Sequence, residues 1–190
     1  CTNNMRVFIS YLSDFDYTIL HLIQAIGPGW KPAAYFLSHG VGSYAIMAVV
    51  FFVALLFIDK WRVAAELFVV TGLSFVVLTL LKHFFAIERP YIIDPSLLSY
   101  DSEGSFALPS GHALMSVVIL GWVALRHPKS HILAWGSIAI IVLVGLSRIY
   151  LGVHYPSQVI AGWLFGIILI LIFRAIGQKM WSPYDKKLKR

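Results

Sequence analysis

The feature that most limits what this chain can become is a succession of apolar runs too long for the interior of a small soluble domain. Five stretches stand out, about Val41 to Ile58, Ala64 to Phe85, Pro109 to Leu125, Ile132 to Leu146 and Val159 to Ile176. Runs of this kind match the hydrocarbon thickness of a bilayer. Within lipid a continuous segment must satisfy its own backbone, and a helix does so. Composition agrees, with 59% of residues hydrophobic and 13% charged, where soluble domains are about half apolar and a quarter charged. The expected fold is therefore all-α: a polytopic membrane helical bundle of about five spans, one domain over residues 1–190, with its transmembrane core at 41–176. The shortest stretches reach only ~22 Å at 1.5 Å per residue, so their ends should continue into the polar segments beside them.

Ahead of the core, residues 5–26 carry apolar side chains at Phe8, Leu12, Phe15, Ile19, Ile23 and Ile26, with Asp14, Tyr17, His21 and Gln24 on another face. That pattern predicts an amphipathic helix lying in the membrane interface. Gly27-Pro28-Gly29 ends it, and Trp30 and Tyr35 suit the interfacial level.

The formal net charge of +6 would suggest nucleic acid if it lined a soluble face, but the basic residues cluster between and after apolar runs. They sit at Asp59-Lys60-Trp61-Arg62, at Arg126 to His131, and in the tail at 177–190 with Lys179, Lys186, Lys187, Lys189 and Arg190. By the positive-inside rule these connections are cytoplasmic. The segment from Ala86 to Leu108 and the one around Arg148 to Pro156 then meet on the extracytoplasmic side. The protein is expected in a bacterial inner membrane, with the bilayer as partner and no nucleic acid. One cysteine, Cys1, excludes an internal disulfide framework; its position suggests a processed or truncated end.

The polar residues of interest fall in three places. Lys82 stands at a helix end, seven residues before Arg89-Pro90. Pro109-Ser110-Gly111-His112 opens an apolar helix, where Ser110 suits the N-cap and Gly111 lets a ligand approach the backbone. Free N–H groups at a helix start favour an anion. Ser147-Arg148 and His154-Tyr155-Pro156 bring a further Arg and His to the same side. Each taken singly has a plain reading, as a snorkelling Lys, a capped helix or a headgroup anchor. Together they place cations, a helix start and two histidines at one membrane face.

The ordered pattern K-x6-R-P, P-S-G-H and S-R-x5-H resembles the three-part signature of the type 2 phosphatidic acid phosphatase superfamily. That family includes bacterial phosphatidylglycerophosphate and undecaprenyl pyrophosphate phosphatases, glucose-6-phosphatase and the vanadium haloperoxidases. The resemblance implies hydrolysis of a phosphate monoester or pyrophosphate on a membrane lipid, with no metal and no cofactor. It implies that Lys82, Arg89, Ser110, Gly111 and Arg148 bind the phosphoryl oxygens. His154 would attack phosphorus to form a phosphohistidine, and His112 would protonate the leaving group and then activate water. Such a pocket stabilises the charge spread over the transferring phosphoryl group.

One position departs from the family pattern. Four residues after the nucleophile an acidic residue is usual, and here it is Gln158. A Gln carbonyl can accept the ring N–H, but it supplies no negative charge to a developing imidazolium, so slower nucleophilic attack is expected. Of the other histidines, His83 is expected to face the helix surface, while His21, His39, His127 and His131 show no metal-ligand spacing. The alternatives are a lipid phosphotransferase and a degenerate-site phospholipid-binding or transport protein; intact cations and histidines weigh against the last. A haloperoxidase leaves the membrane spans unexplained.

Overall fold

The computed structural model describes residues 14–58 and 61–188. Cys1, the beginning of the expected 5–26 helix, residues 59–60 and the side chains of the basic tail lie outside the described residues. The regular structure is all helical, with no strand among the described residues. Helix α1 covers 14–24, and α2 (Pro28–Val41) starts as a 3-10 turn and ends in a π-helical segment, Phe36–Val41. Then come α3 (Tyr44–Ile58), α4 (Trp61–Phe85), the short α5 (Pro90–Ile93), α6 (Gly111–Arg126), α7 (His131–Tyr150) and α8 (Pro156–Leu188).

Three segments are long and apolar enough to cross a bilayer: Val63–Ile93, His131–Tyr150 and Pro156–Ile176. The pair α2 and α3, bent by 51°, makes a fourth, and α6 is a shorter apolar helix. The expected five spans thus all form as helices, but α6 falls short of the hydrocarbon thickness at about 24 Å. The reason lies in its place. Ala113, Leu114, Met115, Val118 and Ile119 of α6 have no exposed surface. A helix wrapped by its neighbours meets protein rather than lipid, so lipid does not set its length. The outer helices show the reverse, with Phe57, Phe68, Phe84, Ile132 and Trp135 turned outward.

Apolar outer faces leave little hydrophobic drive between spans, so close packing has to hold the bundle together. Small residues provide it. On α8, Gly162 and Gly166 lie so near α6 that a Cβ at Gly162 would stand 2.7 Å from the Ser110 carbonyl oxygen, and one at Gly166 would stand 2.8 Å from that of Leu114. Gly145 of α7 similarly receives the ring of Trp163, which lies 2.3 Å from where a Cβ would be.

The N-terminal helix is amphipathic as its periodicity predicts, and the side it turns to the protein differs from its exposed apolar side. Asp16, Leu20 and Gln24, spaced by four, point into the protein, while Phe15, Leu22 and Ile26 are exposed. Asp14 and His21 of the predicted polar stripe remain exposed. The difference has a cause in bonding. The Asp16 carboxylate accepts from Ser157 N at 2.8 Å and Ser157 Oγ at 2.6 Å, where α8 begins and free N–H groups need acceptors. The Gln24 amide donates to the carbonyls of Leu98 at 2.9 Å and Tyr150 at 3.2 Å.

Candidate active site

Five helix ends converge at one end of the bundle. Lys82 lies in the last turn of α4, which stops where Ala86 adopts φ 46°. Arg89 follows with extended backbone as N-cap of α5, ahead of Pro90. Gly111 opens α6, Arg148 lies in the last turn of α7, and His154 precedes Pro156, the first residue of α8. The link from α7 to α8 turns at Gly152, whose φ of 75° and whose missing Cβ, 2.1 Å from the Leu98 carbonyl oxygen if present, admit only glycine. Between these ends is a cavity of about 510 Å³ whose lining includes Lys82, Arg89, Glu103, Gly111, His112 and His154.

His154 is buried, and its ring is held from both sides. Arg89 Nη1 lies 3.0 Å from Nε2, and Gln158 Oε1 lies 3.2 Å from Nδ1. A guanidinium only donates, so Nε2 must accept and Nδ1 must carry the hydrogen that Gln158 receives. Burial, and then the charges of Arg89, Arg148 and Lys82, hold the His154 pKa well below the usual histidine value. The ring is thus neutral, with its Nε2 lone pair toward the cavity side. Gln158 also accepts from Tyr155 N at 3.1 Å through the same side-chain oxygen, and its backbone carbonyl accepts from Ser110 N at 3.1 Å. It therefore ties the start of α6 to the start of α8.

The cations are dense and mostly desolvated. Arg89 is 1% exposed and donates to the carbonyls of Ser105 at 2.8 Å and Val153 at 3.1 Å. It turns toward Glu103 Oε2 at 3.4 Å. Lys82 Nζ donates to Ser105 Oγ at 2.9 Å and to the Phe106 carbonyl at 2.6 Å. Arg148 has no exposed surface; it donates to Ser38 Oγ and to Glu103 Oε1, and stands 3.6 Å from Asp101. It lies behind Glu103 and is not part of the cavity wall, and Ser110 and Gln158 likewise stand back from it.

Ser110 occupies the N-cap position, as its place in the sequence predicts, yet its hydroxyl makes no capping bond. Among the described residues Ser110 Oγ and Arg148 Nε are buried with no hydrogen-bond partner, a state that ordinarily costs about 1–3 kcal/mol each. Both atoms suit an anion as partner. His112 reaches the cavity with Nδ1 3.9 Å from Glu103 Oε1, its ring edge-on to Tyr44 and His39. His83 also borders the cavity, but its Nδ1–H is spent on the Thr79 carbonyl at 2.8 Å within its own helix. Among the described residues no group of three or more His, Cys, Asp or Glu is arranged to hold a metal.

Sequence reasoning missed Glu103, which the fold sets between Arg89, Arg148 and His112. In the chain it is one of several acidic residues in a polar connection, with nothing to mark it from Glu88, Asp94 or Asp101. It also missed His39, whose Nε2 meets Asp101 Oδ2 at 2.7 Å; that pairing spans a distance in sequence that no local pattern records.

Comparison with known proteins gives a concordant set of likenesses. Residues 63–182 match the PAP2 superfamily. Phosphatidylglycerophosphatase B of Bacillus subtilis (strain 168) is 32% identical over 114 residues, covering 55% of this chain and 50% of that protein. An undecaprenyl-diphosphatase of Sulfolobus acidocaldarius is 38% identical over 99 residues, 50% of this chain and 47% of the relative. The chain thus spans about half the length of the curated relatives it matches. The crystal structure of a transmembrane PAP2-type phosphatidylglycerolphosphate phosphatase from Bacillus subtilis superposes with a TM-score of 0.76 at 22% identity, over 89% of this chain and 87% of that one, a likeness of fold.

Proposed function

The chain belongs to the PAP2 superfamily, and from that premise we propose that it hydrolyses a phosphate monoester or pyrophosphate on a membrane lipid through a phosphohistidine on His154. The observation that carries the reading is a cavity at one end of an apolar bundle lined by Lys82, Arg89 and His112 beside the buried His154, with Arg148 close behind Glu103. A substrate already in the bilayer reaches such a pocket without leaving it.

In this mechanism the phosphoryl oxygens take over the donors of Arg89, Arg148 and Lys82, together with Ser110 Oγ and the Gly111 N–H. Freed from Arg89, the Nε2 lone pair attacks phosphorus in line. The bond from phosphorus to the leaving oxygen breaks, and His112 gives that oxygen a proton. His112 then takes a proton from water, whose oxygen attacks the phosphohistidine; the P–N bond breaks and neutral His154 returns. Gln158 keeps the hydrogen on Nδ1 throughout. Cations already fixed in place stabilise the transferring group, which is what phosphoryl transfer demands. The mechanism uses no metal.

The direct test is phosphate release in detergent from phosphatidate, phosphatidylglycerophosphate and undecaprenyl pyrophosphate. Orthovanadate should compete with substrate, since its five-coordinate form imitates the transferring phosphoryl group and such analogues bind tighter than substrates. EDTA should leave the rate unchanged. Inactivation by EDTA, reversed by a divalent ion, would rule out a metal-free reaction.

We place the pocket on the extracytoplasmic side, because Arg126 and Lys129 and the basic tail belong to the opposite connections. In a Cys1-free background, Ser102→Cys should react with a membrane-impermeant thiol reagent on intact cells and Ser130→Cys should not. Labelling of Ser130→Cys alone reverses the orientation.

A further inference from the structure

The two arginines of the pocket are not waiting empty. Glu103 sends Oε1 to Arg148 Nη2 and Oε2 to Arg89 Nη2 at 3.4 Å, with His112 Nδ1 3.9 Å from Oε1. One carboxylate thus spans the donors that the proposed mechanism gives to a phosphoryl group. Its backbone is fixed: Glu103 N donates to the Tyr91 hydroxyl at 3.1 Å, and that hydroxyl donates to the Glu103 carbonyl at 3.2 Å. Its side chain remains 23% exposed beside a cavity that opens to solvent. A pinned backbone with a rotatable, partly solvated carboxylate can leave the arginines and return to them without refolding the loop.

Resting on the phosphatase reading above, we propose that Glu103 is an autoinhibitory carboxylate of the pocket: a tethered competitor that every anion must displace, so that a singly charged group stays out at levels at which a more highly charged one enters. A phosphate monoester is close to dianionic near neutral pH, its second pKa being about 6, and a pyrophosphate ester carries at least as much charge. The phosphodiester headgroups that make up the surrounding bilayer carry one charge on phosphorus. Exchanging the carboxylate for a diester trades one charge for one, against a competitor held at the site by its own backbone and so at high effective concentration. Exchanging it for a monoester gains a further charge facing Arg89, Arg148 and Lys82. The carboxylate weakens every anion by the same factor, so it sets a threshold of affinity and leaves the preference for the higher charge to the cations. It keeps the site clear of the phospholipids that crowd it and of any diester formed as product.

The experiment compares the wild-type chain with Glu103→Gln in detergent, following phosphate release from a short-chain phosphatidate. Two inhibitors are titrated, a short-chain phosphatidylglycerol as diester and orthophosphate. Glu103→Gln should tighten inhibition by the diester and by orthophosphate alike, by about tenfold or more, because each must first displace the same tethered carboxylate. The two inhibition constants are therefore the readout. Glu103→Asp keeps a charge for the arginines but sets it one methylene back, and should give intermediate constants; it serves as well if Glu103→Gln does not fold. A counter-ion needed only to fold the arginines would lower melting temperature and rate while leaving both constants unmoved or weaker, and that outcome overturns the proposal. If the wild type releases no phosphate, the phosphatase reading fails by itself. The constants can then still be read from the concentration dependence of the rise in melting temperature that each inhibitor produces, which needs no turnover.

Discussion

His154→Ala should eliminate turnover and covalent phosphorylation together, while His112→Ala should separate them. Loss of a nucleophile that acts as one unit with its partners removes roughly 10⁴-fold or more of the rate. Loss of general acid–base catalysis removes about a hundred- to ten-thousand-fold, and from whichever step needs the proton. With a substrate whose leaving group is already a weak base, protonation matters little to the first step. The His112→Ala protein should then still form phosphohistidine but hydrolyse it slowly, so that an acid-labile adduct accumulates. Gln158→Asp should speed formation of that adduct, because a carboxylate beside Nδ1, where Oε1 now sits at 3.2 Å, stabilises the positive ring as attack proceeds. In the His154→Ala background the gain should vanish, since the two residues act through one ring. An adduct trapped on His154→Ala and missing from His112→Ala would mean that the two roles are reversed.

Gly162→Ala should also be damaging, though it carries no side chain to the pocket. The added methyl would stand 2.7 Å from the Ser110 carbonyl oxygen, 2.9 Å from Ala113 Cβ and 3.2 Å from Leu114 N. Two of those atoms are backbone, so no side chain can swing away; α8 must shift from α6. Overpacking of this sort costs typically about 1–3 kcal/mol. The larger effect should be on rate. His154 and Gln158 sit at the start of α8 and Ser110 and His112 at the start of α6, so the displacement moves the proposed nucleophile from its partners, and about 1 Å of misplacement can cost a hundredfold. Melting temperature in detergent and phosphate release report the two effects separately. Gly136, which has nothing within 4 Å of an added Cβ, is the control: Gly136→Ala should be near neutral on both. Equal behaviour of the two variants would contradict the tight α6–α8 contact.

Much of this was legible from the chain because it rests on local order. Apolar runs demand helices in lipid whatever their partners, and the three polar motifs each lie at the end of such a run, so their convergence follows from alternating direction alone. What was not legible depends on which side chain meets which across the fold. Burial of α6 on all sides, and hence its shortness, requires knowing that α4, α7 and α8 surround it. The side of α1 that meets the protein was not legible because Asp16 satisfies Ser157, far along the chain, and a hydrophobicity pattern counts such a residue only as polar. The Ser110 hydroxyl looked like a cap from its position, yet its lack of a partner is a fact of geometry. Glu103 was invisible for the plainest reason: a carboxylate's importance here lies in the two arginines opposite it, one fourteen residues away and one forty-five.

The amino-terminal helix gives the reaction loop a property of its own. Residues 151–155 run between two supports, Tyr150 and Ser157, and α1 grips both: Gln24 holds the Tyr150 carbonyl, Asp16 holds Ser157, and the Tyr150 hydroxyl reaches back to the Gly27 carbonyl at 2.6 Å. The loop is a bridge whose two abutments stand on one beam. Its length cannot change unless α1 bends or detaches, so α1 and His154 share one local opening equilibrium. A change of lipid, detergent or fused sequence that loosens that helix should be felt at the imidazole before it is felt in the stability of the bundle.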